Sequence, residues 1–116
     1  MSLQIFRLNE KDFERVKTGF GNYLVARYFN VPNKNFSSGF FAVENGWPFE
    51  WSYWYDEVIY VVKGEGKLSF SSPPLFDKTE VKELGQGNLT IIQKGSKIKF
   101  ECISKDPLVF AYVAIV

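Results

Sequence analysis

The stretch EWSYWYDEVIYVVKGEGKLSF, Glu50 to Phe70, decides how the rest of this chain reads. Its centre, Val58-Ile59-Tyr60-Val61-Val62, is a short apolar run with acids before it and glycines after it. It reads as a strand that is apolar on both faces, and such a strand needs cover on both. One cover is the core of a β barrel. The other is the N-terminal segment or a second subunit. The second subunit is the expectation, because a bare apolar patch of this kind is uncommon on a monomer. Gly64-Glu65-Gly66 then reads as a tight hairpin leading into the next strand.

Working outward, nearly everything reads as short strands separated by Gly, Pro, Asn and Ser. The expected strands lie at 4–8, 23–29, 39–44, 49–54, 57–63, 67–71, 80–84, 88–93, 97–103 and 108–115. The run Lys97-Ile98-Lys99-Phe100-Glu101-Cys102 alternates charged and apolar without a slip. Period two puts the lysines and Glu101 in water and Ile98, Phe100 and Cys102 inside. Ser71-Ser72-Pro73-Pro74 opens a longer surface loop. One short helix is expected, with Asn9 capping residues 10–16 and acids in its first turn. The fold class is therefore all-β, a barrel or sandwich with at most one short N-terminal helix. Residues 1–22 are expected to pack as an extension on a barrel formed by 23–116.

The composition fits a single globular domain: 116 residues, 46% hydrophobic and 18% aromatic. With 14 Lys+Arg against 13 Asp+Glu, the net charge of +1 gives no general pull towards nucleic acid or a membrane surface. No secretory leader and no apolar stretch of membrane-spanning length is expected, so the cytoplasm is the simplest location. Cys102 is the only cysteine, so no intramolecular disulfide forms. The chain has no histidine. That removes the commonest general base and the commonest transition-metal ligand together. Gly64-Glu65-Gly66-Lys67 lacks the upstream glycine and the following helix of a phosphate-binding loop. No cofactor motif is evident.

Two spacings resemble the cupin motifs. The first is Gly46, then Glu57, then six residues, then Gly64; the second is Gly87, then five residues, then Gln93-Lys94-Gly95. More narrowly, FEWSYWYDEVIYVVKGEGKL, KGSKIKFE and FAYV resemble the cupin domain of the ethanolamine-utilisation EutQ family. That family carries a tryptophan at the place of Trp51, Tyr-Asp-Glu at Tyr55-Asp56-Glu57 and Lys-Gly-Ser at Lys94-Gly95-Ser96. The resemblance covers roughly residue 25 onwards. It implies a jelly-roll barrel, the double-stranded β-helix of cupins, and a link to bacterial ethanolamine metabolism.

In metal-binding cupins two histidines and the glutamate of the first motif join a histidine of the second. The resemblance puts the first pair at Glu50 and Ser52, or at Trp51 and Tyr53, and the last at Ile98. Only Glu57 keeps a ligand type, so no transition-metal site is expected. By residue chemistry, Glu57 is a carboxylate in an otherwise apolar barrel, which marks a functional position more often than a structural one. Period two puts Phe49, Trp51, Tyr53 and Tyr55 on one face and Glu50, Ser52 and Trp54 on the other. Phe49 belongs to the core. Trp51, Tyr53 and Tyr55 have polar tips suited to a small-molecule pocket. Lys94, beside the turn at Gly95, is the lysine able to reach a pocket mouth. The candidate ligand-binding residues are Glu50, Trp51, Ser52, Tyr53, Tyr55, Glu57 and Lys94. Cys102 points inward and is expected to be inert.

Three functions remain open from the sequence. The first is a dimeric cupin with a degenerate metal site that binds a small polar metabolite. The second is an enzyme that is metal-free or weakly Mg-dependent, with Glu57 and Glu50 as the oxygen ligands of a weakly held Mg or Ca. It performs acetate-kinase-like phosphoryl transfer, as the resemblance implies, or isomerase or lyase chemistry with Glu57 as base and Tyr53 or Tyr55 as acid. The third is a structural dimeric scaffold. An inward Glu57 beside an open cavity favours the first two. A cavity plugged by Trp51 and Ile98 favours the third.

Overall fold

The computed structural model describes residues 3–31, 36–71 and 74–115. Ser72 and Pro73 of the expected surface loop lie outside the described residues. A 3-10 helix, Glu10–Asp12, precedes ten strands. They are β1 Glu14–Thr18, β2 Gly21–Val31, β3 Phe36–Val43, β4 Phe49–Ser52, β5 Asp56–Lys63, β6 Gly66–Ser71, β7 Thr79–Leu84, β8 Leu89–Ile92, β9 Lys97–Cys102 and β10 Leu108–Ile115. All pair antiparallel in one sheet of order β7-β6-β9-β4-β2-β3-β10-β5-β8, with β1 added beside β2. The sheet curls so that β2, β3, β10 and β5 face β4, β9 and β6. Strand β10 sits between β3 and β5 along its whole length.

The core fills the space between the two faces. Phe41 stacks on Phe110 with ring centroids 4.6 Å apart and meets Phe100 edge-on at 5.6 Å. Phe100, Phe110, Ile59, Leu108, Val43, Val61 and Val109 are its most completely buried large side chains. Burying each contributes about 1.5–3 kcal/mol relative to leaving it in water. The alternation expected at 97–102 holds, with Ile98, Phe100 and Cys102 buried.

Three expectations are corrected. Asn9 does cap a helix, its side-chain oxygen accepting from the Lys11 N–H at 3.1 Å, but that helix ends at Asp12. Val16 and Thr18 are β-branched and their backbone pairs along β2 instead of coiling. The Thr18 hydroxyl bonds to the Gly21 carbonyl and closes that turn. Residues 4–8 form no strand, although Phe6 stacks on Tyr28 at 5.2 Å. Gly64-Glu65-Gly66 is not a hairpin, because β5 and β6 are not paired. It is an arch that carries the chain from one face of the barrel to the other. The Glu65 carbonyl accepts from the Ile103 and Ser104 N–H groups across the top. A side chain at Gly64 would lie 2.8 Å from the Leu108 Cα, and its φ of +93° is left-handed, so the arch needs glycine there. Among the described residues, the outer face of β5 has no full cover. Tyr60 is exposed, as are Leu89 and Ile91 on neighbouring β8.

Candidate functional site

Glu57 is the second residue of β5, and period two turns it inward with Ile59 and Val61. It is 6% exposed, the one buried charged side chain among the described residues. Its Cα neighbours are Ile92 on β8 and Ala114 on β10, and Ala114 lies opposite Ser37 on β3. A methyl group at 114 leaves room beside the carboxylate. The room is a cavity of about 330 Å³ that opens at this end of the barrel. Val25, Phe41 and Phe49 line it where it meets the core, and Arg27 and Ser37 also border it. Tyr23, Trp51, Tyr53, Trp54, Tyr55 and Tyr112 supply most of the remaining wall.

The two motif segments are locked to one another, and the lock places the aromatic wall. The Tyr53 N–H donates to the Ser96 carbonyl and the Gly95 N–H donates to the Tyr53 carbonyl, both at 2.8 Å. The Lys94 N–H donates to Asp56 Oδ1 at 2.8 Å. Residues 53–55 are thereby pinned between β4 and β5 with Tyr53 buried and Tyr55 half-buried. Trp51 Nε1 donates to the Tyr55 hydroxyl at 3.0 Å. The Tyr53 and Tyr55 rings meet at 68°, Trp54 and Tyr55 at 84°, and Tyr23 and Trp51 at 64°. Rings at such angles enclose a space rather than filling it as a stack.

Burial sets the protonation of the site. It raises the Glu57 carboxyl to about 7, and the facing Tyr53 hydroxyl pulls it part of the way back. Tyr53 is pushed well above the ordinary phenol range by burial and then by the Glu57 charge. The same two causes, in the same order, carry Tyr55 to about 12. Tyr23 is also raised, chiefly by burial, with Arg27 opposing. The site therefore presents a carboxyl that exchanges its proton near neutrality, among phenols that keep theirs. Such a group can accept or donate a proton, or hold a cation.

Of the residues expected from sequence, Trp51, Tyr53, Tyr55 and Glu57 meet in the cavity. Glu50, Ser52 and Lys94 do not line it. Glu50 and Ser52 alternate with Trp51 to the outer side of β4, where their Cα partners are Lys99 and Lys97. Lys94 is exposed and contributes its backbone N–H to the lock. Trp54, expected on the outer side, turns into the wall because β4 ends at Ser52. Ile98 is buried but lies outside the cavity lining, so Trp51 and Ile98 do not plug it. Sequence reasoning missed Tyr23, Arg27, Ser37, Tyr112 and Ala114. The signal was present, since Tyr23, Val25 and Arg27 alternate on β2 and Tyr112 and Ala114 on β10.

A curled antiparallel barrel with an aromatic-walled end-cavity holding a carboxylate of β5, next to the second motif, has the cupin architecture. The chain belongs to a particular family of that class: the family described as ethanolamine utilisation protein EutQ matches it over residues 1–115. That span is wider than the sequence resemblance, because β1 and the segment before it are included. The EutQ protein of Clostridium difficile is 25% identical and superposes with a TM-score of 0.65 over 95% of this chain and 80% of its own. An ethanolamine utilization protein Q from Salmonella typhimurium LT2 is 22% identical, with a TM-score of 0.62 over 89% of this chain and 93% of its own. A cupin 2 conserved barrel domain protein from Rhodopseudomonas palustris shares the fold at 17% identity, with a TM-score of 0.71 over 90% of this chain and 70% of its own. Among curated proteins, none matches the chain.

The metal that cupins commonly hold does not fit this donor set. Among the described residues there is no group of three or more His, Cys, Asp or Glu side chains placed to share an ion. Glu57 is the one carboxylate in the cavity, the phenols around it are held protonated, and Asp56 faces the lock. One carboxylate and neutral hydroxyls fall short of the three or four ligands a transition-metal centre needs.

Proposed function

We propose that this protein binds a small polar metabolite of ethanolamine utilisation in the barrel, at a site that has lost its metal ligands. One observation carries the reading: the buried Glu57 carboxyl borders an open cavity of about 330 Å³ walled by aromatic rings. A carboxylate buried without a cationic partner is costly to keep, and a core with no other use for the position would replace it. The aromatic wall supplies contact area and the carboxylate supplies orientation, the usual division in small-molecule sites. The metabolic link rests on the family description.

The test is ligand-induced thermal stabilisation, with a panel of small acids, amines and phosphorylated metabolites against the parent and Glu57→Gln. At least one panel member is expected to raise the melting temperature of the parent, while the variant folds and does not respond. Equal responses of the two proteins would show that the carboxylate is not part of the site.

A second reading has its own observation. A carboxyl raised to about 7 beside neutral phenols is equipped for proton transfer, which favours isomerase or lyase chemistry with Glu57 as base and Tyr53 or Tyr55 as acid. Turnover that persists in Tyr53→Phe, Tyr55→Phe and Glu57→Gln would exclude it. We further propose a homodimer and a cytoplasmic location. Among the described residues no helix is long and apolar enough to cross a membrane.

A further inference from the structure

Resting on the reading of the cavity as a ligand site, we propose that its occupant is an organic ammonium ion, held against the aromatic wall by the Glu57 carboxylate. Two independent features of the cavity point to this class. The first is charge. Glu57 has no ion-pair partner among the described residues, whose salt bridges are Arg15–Glu44, Lys63–Glu10 and Lys99–Glu101, all elsewhere. Desolvation penalises its ionised form until a cation enters. A carboxylic acid ligand would meet like charge there, and a neutral polyol would leave that cost in place.

The second is the wall. Tyr23, Trp51, Tyr53 and Tyr55 come from different directions, with interplanar angles of 64° and 68° between the contacting pairs. Aromatic faces attract cations through the ring quadrupole, and large, weakly hydrated ammonium ions gain most because they lose little water. A compact dication needs more oxygen ligands than this cavity holds. The carboxylate and the rings therefore select the same chemistry, a diffuse single positive charge. Arg27 and Ser37 on the same lining suit the other end of such a molecule, where a hydroxyl or an anionic group would face them.

The test pairs choline with dimethylbutanol, its neutral carbon isostere, in calorimetric titrations of the full chain. Tetramethylammonium serves as a minimal cation. Choline is expected to bind about tenfold or more tightly than the isostere, a preference typical of cation–π sites. Glu57→Gln and Trp51→Leu should each lose most of that preference. Tyr55→Phe should keep it, because the ring face remains. If Trp51→Leu fails to fold, Glu57→Gln, nearly isosteric, decides alone. Equal binding of choline and its isostere, or a preference for small acids that depends on Glu57, would overturn the ammonium assignment and leave the ligand site standing. Binding of no panel member of any charge would overturn both.

Discussion

At the scale of the residue, Glu57 couples the cavity to stability. Its carboxyl stands at about 7 in the folded protein against 4.5 for the free group. Between those values the folded state binds the proton more tightly than the unfolded chain does, so stability falls as pH rises through that window. Below it both states are protonated and Glu57 costs nothing; above it the full cost applies. The span corresponds to roughly 3 kcal/mol. Denaturant titrations of the ligand-free protein at a series of pH values should show this decline for the parent. Glu57→Gln should remove this group's share of it, so that the variant is the more stable protein above neutrality. A parent whose stability is level across the window would show that burial does not hold the proton there.

At the scale of the element, the arch at Gly64 and Glu65 decides which strands become neighbours. Gly64→Ala would force a left-handed φ on a residue with a Cβ and press it against the Leu108 backbone. The expected loss is about 1–3 kcal/mol, seen as a lower denaturation midpoint at unchanged slope. An unchanged midpoint would mean the arch can be rebuilt without glycine. This element also marks where the sequence was legible and where it was not. Alternation and β-branched runs are local signals, and they located β5, β9 and β10 nearly to the residue. A glycine pair between two strands is equally compatible with a hairpin and an arch, because the choice rests on distant pairing with β9 and β10. The site divides the same way. Tyr53, Tyr55 and Glu57 stand close together in the chain and could be read as one constellation. Tyr23, Arg27, Ser37, Tyr112 and Ala114 reach the cavity only through the curl of the sheet. Motif spacing points to Glu50 and Ser52, and the turn at Gly95 to Lys94, but the spacing is uncertain by one residue and the parity of β4 selects Trp51 for the cavity instead.

At the scale of the whole molecule, the outer face of β5 and β8 is unfinished. Half-buried Val58 lies opposite exposed Ile91, and exposed Tyr60 opposite exposed Leu89, so together they form an apolar strip at the end of the sheet. A strip of this kind on an edge strand invites pairing with another chain. The proposed homodimer is expected to use it. Analytical ultracentrifugation should find a two-chain species. Ile91→Lys should shift it towards single chains and leave choline binding unchanged, because residue 91 points away from the cavity. A parent that sediments as a single chain at high concentration would rule the dimer out.

The position of β10 has a kinetic consequence. The last of the ten strands to be made lies inside the sheet, between β3 and β5. On the ribosome, β3 and β5 therefore wait with bare edges until Leu108–Ile115 emerges, and the barrel cannot close piece by piece behind the exit tunnel. Folding is governed by contacts far apart along the chain, which are slow to form. The incompletely synthesised chain is thus the state in which this protein is most exposed to aggregation, and the one in which chaperones have the most to protect.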